Sequence, residues 1–144
     1  MQLIYWKAAS GQWLVYSYED QGFSWLKPHI DRGVFSFRAG WLVYTPMMAF
    51  AVLGFLWLYR QQRSIFWAVF LFFALFLYVT FAWDILWYGG SLGQRAMVQS
   101  YALLAFPLAA FVESIRKRVP WNYMAFAVFL FFSYYNLWLT HQAH

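Results

Sequence analysis

The stretch SIFWAVFLFFALFLYVTFAW, Ser64–Trp83, contains no charged side chain. A helix that crosses the hydrocarbon core of a bilayer needs about 20 predominantly apolar residues, each adding about 1.5 Å. Ser64–Trp83 has this length and therefore predicts a transmembrane helix. Three more stretches are uncharged: Ala39–Tyr59, Ala96–Val112, which is the shortest, and Val119–Thr140. Together the four stretches predict an integral membrane protein.

The overall composition supports the same class. Of the 144 residues, 64% are hydrophobic and 10% are charged, whereas soluble domains carry about 25% charged residues. There are no cysteines, which excludes disulfides and thiolate metal sites. The net charge of +5 is typical of cytoplasmic loops that face anionic lipid. We therefore expect membrane lipid as a partner, and no nucleic acid.

We predict an all-α integral membrane fold with two parts. Residues 1–40 mix aromatic and charged side chains, and no uncharged run among them is long enough to span. Because Trp and Tyr suit the headgroup zone, this part is predicted to be an interfacial extracytoplasmic segment, partly helical. Residues 41–144 are predicted to form a four-helix transmembrane domain, with spans at about 41–59, 65–83, 92–112 and 120–140.

The distribution of basic residues predicts the orientation. The loop Arg60–Ser64 holds two arginines, and the loop Glu113–Pro120 holds three basic residues. By the positive-inside rule both loops are cytoplasmic. The loop Asp84–Arg95 and both termini then lie on the outer face. Residues 1–40 hold four bases and three acids, a bias in the opposite sense, but the rule is strongest for short loops.

The loop WYGGSLGQR, Trp87–Arg95, is rich in glycine and precedes the third predicted span. Ser91-Leu92-Gly93-Gln94 fits the S-x-x-Q capping box, so the third helix is expected to begin at about Leu92. Unpaired amides at a helix start attract anions, and the guanidinium of Arg95 suits phosphate. The spacing also places Ser91, Arg95 and Gln99 on one helical face.

These features predict a site for a lipid-linked phosphate on the outer face. Its candidate residues are Arg95, Gln94, Gly93, Ser91, Gly90, Asp84 and Gln99. The same sequence also fits a tight capped hairpin, in which Arg95 extends to the interface or pairs with Asp84. Asp84 is the acid of this loop and could orient Arg95, bind a metal or act as a base. An ion pair with Arg95 is the interpretation we favour for it.

Other patterns point to packing rather than chemistry. Ala102, Ala105 and Ala109 form a small-residue stripe that predicts a helix-packing face, and Pro107 is expected to kink the third span. His141 and His144 lack a third ligand, so no metal site is predicted. We find no nucleophile–base pair, phosphate-binding P-loop or paired carboxylates, and the sequence identifies no catalytic residue.

With these residues in view, FSFRAGWLVYTPMMAFAVLGF (Phe35–Phe55) and WYGGSLGQR (Trp87–Arg95) resemble the later part of bacterial polytopic glycosyltransferases. These belong to the GT-C class, are related to protein mannosyltransferases and are described as family 39-like. The likeness extends over roughly Gln2–Val112. It implies the bacterial cytoplasmic (inner) membrane and a polyprenyl-phosphate-linked sugar as donor. It also implies that Arg95 and the backbone of Gly89–Gly93 lie near the lipid phosphate.

The resemblance also implies that part of the enzyme lies elsewhere. The catalytic acid of the family lies in the first extracytoplasmic loop of a longer chain, in a half without an equivalent here, and the complete enzyme allows for a divalent metal. The start at Met1 fits an internal start, a split gene or a fragment boundary. We therefore expect the C-terminal membrane module of a glycosyltransferase-like protein, inactive without its N-terminal half. The alternative is a small accessory or structural subunit that packs on other membrane subunits.

Overall fold

The structure, a computed structural model, describes residues 2–13, 21–85, 93–116 and 119–142. Regular structure in these residues is helical, apart from an isolated antiparallel bridge between Phe23 and Trp83. A 3₁₀ helix, Arg95–Ser100, leads directly into α6. The α-helices are α1 (Gln2–Ser10), α2 (Ile30–Phe35), α3 (Trp41–Tyr44), α4 (Met48–Gln61), α5 (Arg63–Ala82), α6 (Tyr101–Arg116) and α7 (Val119–Gln142).

Three helices of the described chain are long and apolar enough to cross a membrane. They cover Arg63–Ala82, Arg95–Arg116 and Pro120–Gln142. Each has about 20 residues or more, the length that a bilayer requires. The prediction of an all-helical protein with membrane-length helices is confirmed to this extent.

The first predicted span, 41–59, is not one continuous helix. It is divided into α3 and α4 by Thr45–Met47. Thr45 precedes Pro46 and has φ −132° and ψ 64°, because the proline ring disfavours the helical conformation of the residue before it. The helix begins again with a backbone hydrogen bond between residues three apart, in which the amide of Met48 donates to the carbonyl of Thr45 at 3.0 Å. α4 alone has 14 residues, about 21 Å of helix.

The buried core lies where α4, α5 and α6 meet. α4 packs most extensively on α6, and the closest approach is at Gly54. A methyl group on Gly54 would lie 2.5 Å from the carbonyl carbon of Pro107, and closer still to its oxygen. The missing side chain therefore lets the backbones of α4 and α6 meet, a role that small residues also have between membrane helices. The core side chains are Val34, Trp41, Ala51, Phe55, Leu58, Val69, Phe73, Phe81, Met97, Leu104 and Ala110.

The alanine stripe of α6 does not make this contact. Ala102, Ala105 and Ala109 are exposed and line an open groove beside α4 and α5. As a packing face within the described chain, this prediction was wrong. The opposite face, which carries Pro107 and Phe111, is the one that meets α4 at Gly54, because the glycine of α4 gives it the closer approach.

α7 is attached differently from the other long helices. None of the residues in its most apolar 18-residue window is buried. Its contacts include Phe132, whose ring centroid lies 5.7 Å from that of Phe50. The helix is apolar around its whole circumference, a pattern typical of a helix surrounded by lipid or by other membrane helices.

The N-terminal part is helical at α1 and α2, and residues 21–29 are attached to the end of α5. The amide of Ser24 donates to the carbonyl of Ala82 at 2.7 Å, and the amide of His29 donates to that of Phe81 at 2.8 Å. A side chain on Gly33 would collide with the ring of Phe81. Residues 21–33 are therefore fixed to the same end of α5 that leads into the glycine-rich loop.

Candidate functional site

The structure describes five of the seven predicted site residues. These are Asp84, Gly93, Gln94, Arg95 and Gln99; Gly90 and Ser91 lie outside the described residues. The helix begins at Arg95 rather than near Leu92. Gly93 has φ +67°, a left-handed conformation that does not continue into a helix. Gln94 instead precedes the first turn, where its carbonyl accepts the amide of Met97 at 3.0 Å.

Gly93 is required by a close contact with Tyr44. A methyl group on Gly93 would lie 2.8 Å from the Cβ of Tyr44, and its positive φ is costly for other residues. Both Gly93 and Gln94 are buried. The glycine therefore brings the start of the 3₁₀ helix against the end of α3, where the first predicted span is interrupted.

A pocket of about 240 Å³ lies at this junction. Arg95 is exposed and carries the one formal charge among the described residues that line it. The other lining groups are neutral, and several can form hydrogen bonds. The pocket is lined by Tyr44, Thr45, Gly93, Gln94, Arg95, Val98, Tyr101, Asn136 and Thr140. A guanidinium among neutral donors and acceptors favours an anion with a polar neighbour.

Hydrogen bonds hold the α3 side of the pocket. The indole Nε1 of Trp41 donates to the hydroxyl of Tyr101 at 3.3 Å. That hydroxyl donates to the Oγ1 of Thr45 at 3.3 Å, and Thr45 donates to the carbonyl of Trp41 at 2.6 Å. The side chains of Trp41, Thr45 and Tyr101 are therefore bonded within the protein and link α3 to α6.

Asn136 and Thr140 are pocket residues that the sequence analysis missed. They lie one turn apart on α7, so they face the same side of that helix. The hydroxyl of Thr140 donates to the carbonyl of Asn136 at 2.9 Å. A polar pair at i, i+4 within an otherwise apolar helix was the available signal, because polar side chains in membrane helices usually face other helices or a cavity.

Gln99 is not among the residues that line the pocket. It lies in the 3₁₀ helix Arg95–Ser100, where three residues complete a turn, so residues four apart are about 120° apart around the axis. Arg95 and Val98 share a side instead, and both line the pocket. The expectation that Arg95 and Gln99 share a face was wrong because the first turns of this helix are not α-helical.

Asp84 is bound to the N-terminal segment rather than to Arg95. Its carboxylate accepts the amide of Gly22 at 3.1 Å and the hydroxyl of Ser24 at 2.6 Å. Between the described residues Asp84 and Arg95 there is no salt bridge, so the favoured ion pair was wrong. The physical reason is that two donors from a distant part of the sequence occupy the carboxylate. Asp84 therefore positions residues 21–29 and lies outside the pocket lining.

The bonds of Asp84 to Gly22 and Ser24 give a first testable expectation. Asp84→Ala should speed hydrogen–deuterium exchange of the Gly22 amide about fivefold, because this amide loses an acceptor whose removal costs about 1 kcal/mol at an exposed site. The Ser24 amide, which donates to Ala82, should exchange faster because the side chain of Ser24 loses the same carboxylate. Asp31→Asn, a change of another exposed acid in the same region, is the control and should leave these rates unchanged. Equal rates in the wild type and Asp84→Ala would show that the carboxylate does not hold the segment.

Metal ligands do not cluster in the described part of the chain. No group of three or more His, Cys, Asp or Glu side chains there could hold a metal ion. Comparison with protein families, with curated proteins and with solved structures finds no match to this chain. The functional argument therefore depends on the pocket at Arg95 and on its surroundings.

Proposed function

We propose that the chain binds the phosphate group of a lipid in the pocket at Arg95. The observation that carries this proposal is the composition of the pocket: one exposed guanidinium, neutral hydrogen-bonding groups and no acid among its described lining residues. A guanidinium donates to two phosphate oxygens at once. An amine-bearing headgroup finds no carboxylate there to pair with its positive charge.

The proposed topology places this pocket on the outer face. α3 and α4 together form a broken first span, which with α5, α6 and α7 gives four spans. Arg60, Arg63 and Arg116 lie at the ends of α4, α5 and α6 that are farthest from the pocket. This is the distribution of basic side chains expected for the cytoplasmic side. Arg95, at the start of the 3₁₀ helix that leads into α6, and Thr140, near the end of α7, then lie at the outer interface, where a lipid headgroup would meet them.

Within this function, we propose that the chain is the C-terminal membrane module of a GT-C-like glycosyltransferase of the bacterial inner membrane. The lipid would be a polyprenyl phosphate that carries the donor sugar. Arg95 would bind the phosphate, while Gly93 and Gln94 shape the pocket against Tyr44. The catalytic acid, with a divalent metal if one is used, would come from an N-terminal half, so the module alone would be inactive.

The test is binding of a short-chain polyprenyl phosphate to the purified chain in a neutral detergent. Arg95→Ala should weaken binding about tenfold or more, since a charged hydrogen bond contributes about 1.5–3 kcal/mol. Arg95→Lys should retain part of the affinity, because it keeps the charge but loses the two-point contact. Arg60→Ala, which removes an exposed arginine at the other end of the bundle, is the matched control. Equal affinities in all four proteins would contradict the proposal.

A second candidate function is an accessory subunit of a membrane complex. It is favoured by the exposed stripe Ala102, Ala105 and Ala109, because small residues allow another helix to approach closely. In that case a tagged chain extracted from its own membranes would carry a stoichiometric membrane subunit. Ala105→Trp would release that subunit, whereas Arg95→Ala would not. Retention of the subunit by Ala105→Trp, together with weaker polyprenyl phosphate binding by Arg95→Ala, would favour the lipid-phosphate site.

A further inference from the structure

A second cavity lies along α7, closer to the opposite ends of α6 and α7 than the pocket at Arg95. It is an apolar crevice of about 260 Å³ between α6 and α7. Leu108, Phe111 and Ile115 of α6 form one wall, and Ala125, Phe126 and Phe129 of α7 form the other, with Asn122 as a polar residue at the end of the described lining. A crevice with such walls excludes charged groups and accepts hydrocarbon.

The crevice and the pocket at Arg95 follow the same helix. Asn136 in the pocket and Ala125 in the crevice are eleven residues apart on α7, which corresponds to about 16 Å. Both cavities are therefore parts of one seam along α7, polar at the proposed outer interface and mostly apolar toward the opposite ends of α6 and α7. A polar pocket followed by an apolar crevice matches a lipid, in which a polar headgroup is followed by a hydrocarbon chain.

Aromatic rings separate the two cavities. Phe132 of α7 lies between Phe129 and Asn136, and its ring centroid is 5.7 Å from that of Phe50. Phe50 also stacks on Phe111 at 5.1 Å and lines the crevice. The described contact between the cavities is thus made by side chains, which can change rotamer without breaking backbone hydrogen bonds.

We infer that the seam beside α7 binds one phosphate-headed lipid along its length, with the phosphate at Arg95 and the hydrocarbon chain in the crevice. This inference rests on the proposed function, because the headgroup is assigned to the same pocket. It adds a chain-binding site made by α6 and α7. It also explains why α7 lies beside the core without being buried in it: the chain fills the space between this helix and α6.

The experiment uses hexadecyl phosphate with a diazirine at the end of its chain, in phosphatidylcholine vesicles that contain the purified protein. After illumination, the labelled peptides are identified by mass spectrometry, with and without an excess of unlabelled hexadecyl phosphate. We expect competed labelling in the crevice, on residues 108–115 and 122–129. Ala125→Trp fills the crevice and should abolish this labelling. The matched control is Ala127→Trp, which places the same side chain at an exposed position on another face of α7 and should leave it unchanged.

The outcomes separate the inference from the function on which it rests. Competed labelling that is lost in Arg95→Ala but falls outside the crevice would leave the phosphate site and overturn the chain site. Crevice labelling that persists in Ala125→Trp would also overturn it. If no labelling is competed, the phosphate site itself fails and the chain site fails with it. The position of the label in the wild type decides the matter even if Ala125→Trp does not fold.

Discussion

Gly54→Ala should lower the free energy of unfolding by about 2–3 kcal/mol, the cost of overpacking a close contact. The added methyl group would lie 2.5 Å from the carbonyl carbon of Pro107 and 3.2 Å from the Cβ of Phe111. Because the first obstacle is main chain, no rotamer change can relieve it, and α4 must move away from α6. The measurement is denaturation in mixed micelles of a mild detergent and dodecyl sulfate.

The sign of this effect is informative. Alanine is favoured over glycine within a helix by about 1 kcal/mol, so helix propensity alone predicts that Gly54→Ala stabilises the protein. Leu56→Ala, at a position of the same helix that is 63% exposed, is the control and should change stability by no more than about 0.5 kcal/mol. A stabilised Gly54→Ala protein would show that α4 and α6 do not meet at Pro107.

The long helices could be predicted from the sequence because the bilayer makes a simple demand. Backbone groups in hydrocarbon must bond within their own helix, so an uncharged run long enough to span the bilayer specifies one. The runs 64–83 and 119–140 accordingly coincide with α5 and α7 to within a few residues. The prediction of one continuous helix over residues 41–59 was wrong, because apolar composition specifies the environment of a segment and not the continuity of its helix. Pro46 interrupts it, and the side-chain bonds of Tyr101 with Trp41 and Thr45 beside the interruption join residues far apart in sequence.

The site was predictable in part, because some of its residues stand out in the local sequence. Arg95 and Gly93 stood out locally, as a base and a glycine before a helix, and both line the pocket. The partners of Asp84 could not be found this way, because Ser24 lies 60 positions away. The S-x-x-Q pattern misplaced the helix start because a short motif cannot show that Gly93 adopts a left-handed conformation against Tyr44. Asn136 and Thr140 were overlooked within an aromatic-rich helix.

Trp41→Ala should be the most damaging change at the interrupted span, with a loss of about 3–5 kcal/mol in the free energy of unfolding. Trp41 is 2% exposed, and its ring centroid lies 5.8 Å from that of Phe73 on α5. Its indole also donates to Tyr101 on α6 at 3.3 Å. Alanine would leave a cavity among three helices and remove these contacts of α3 with α5 and α6.

Trp41→Phe separates the two contributions, since it keeps a ring beside Phe73 and removes the donor to Tyr101. We expect a smaller loss, and a double-mutant cycle of Trp41→Phe with Tyr101→Phe should give a coupling of about 0.5 kcal/mol, typical of hydrogen bonds between membrane helices. The distance of 3.3 Å from the indole nitrogen of Trp41 to the hydroxyl of Tyr101 favours this modest value, because such hydrogen bonds usually measure about 2.9–3.0 Å. Additive losses would mean that ring packing alone holds Trp41. In that case the break at Thr45–Met47 would follow from Pro46 and would not depend on the link to α6.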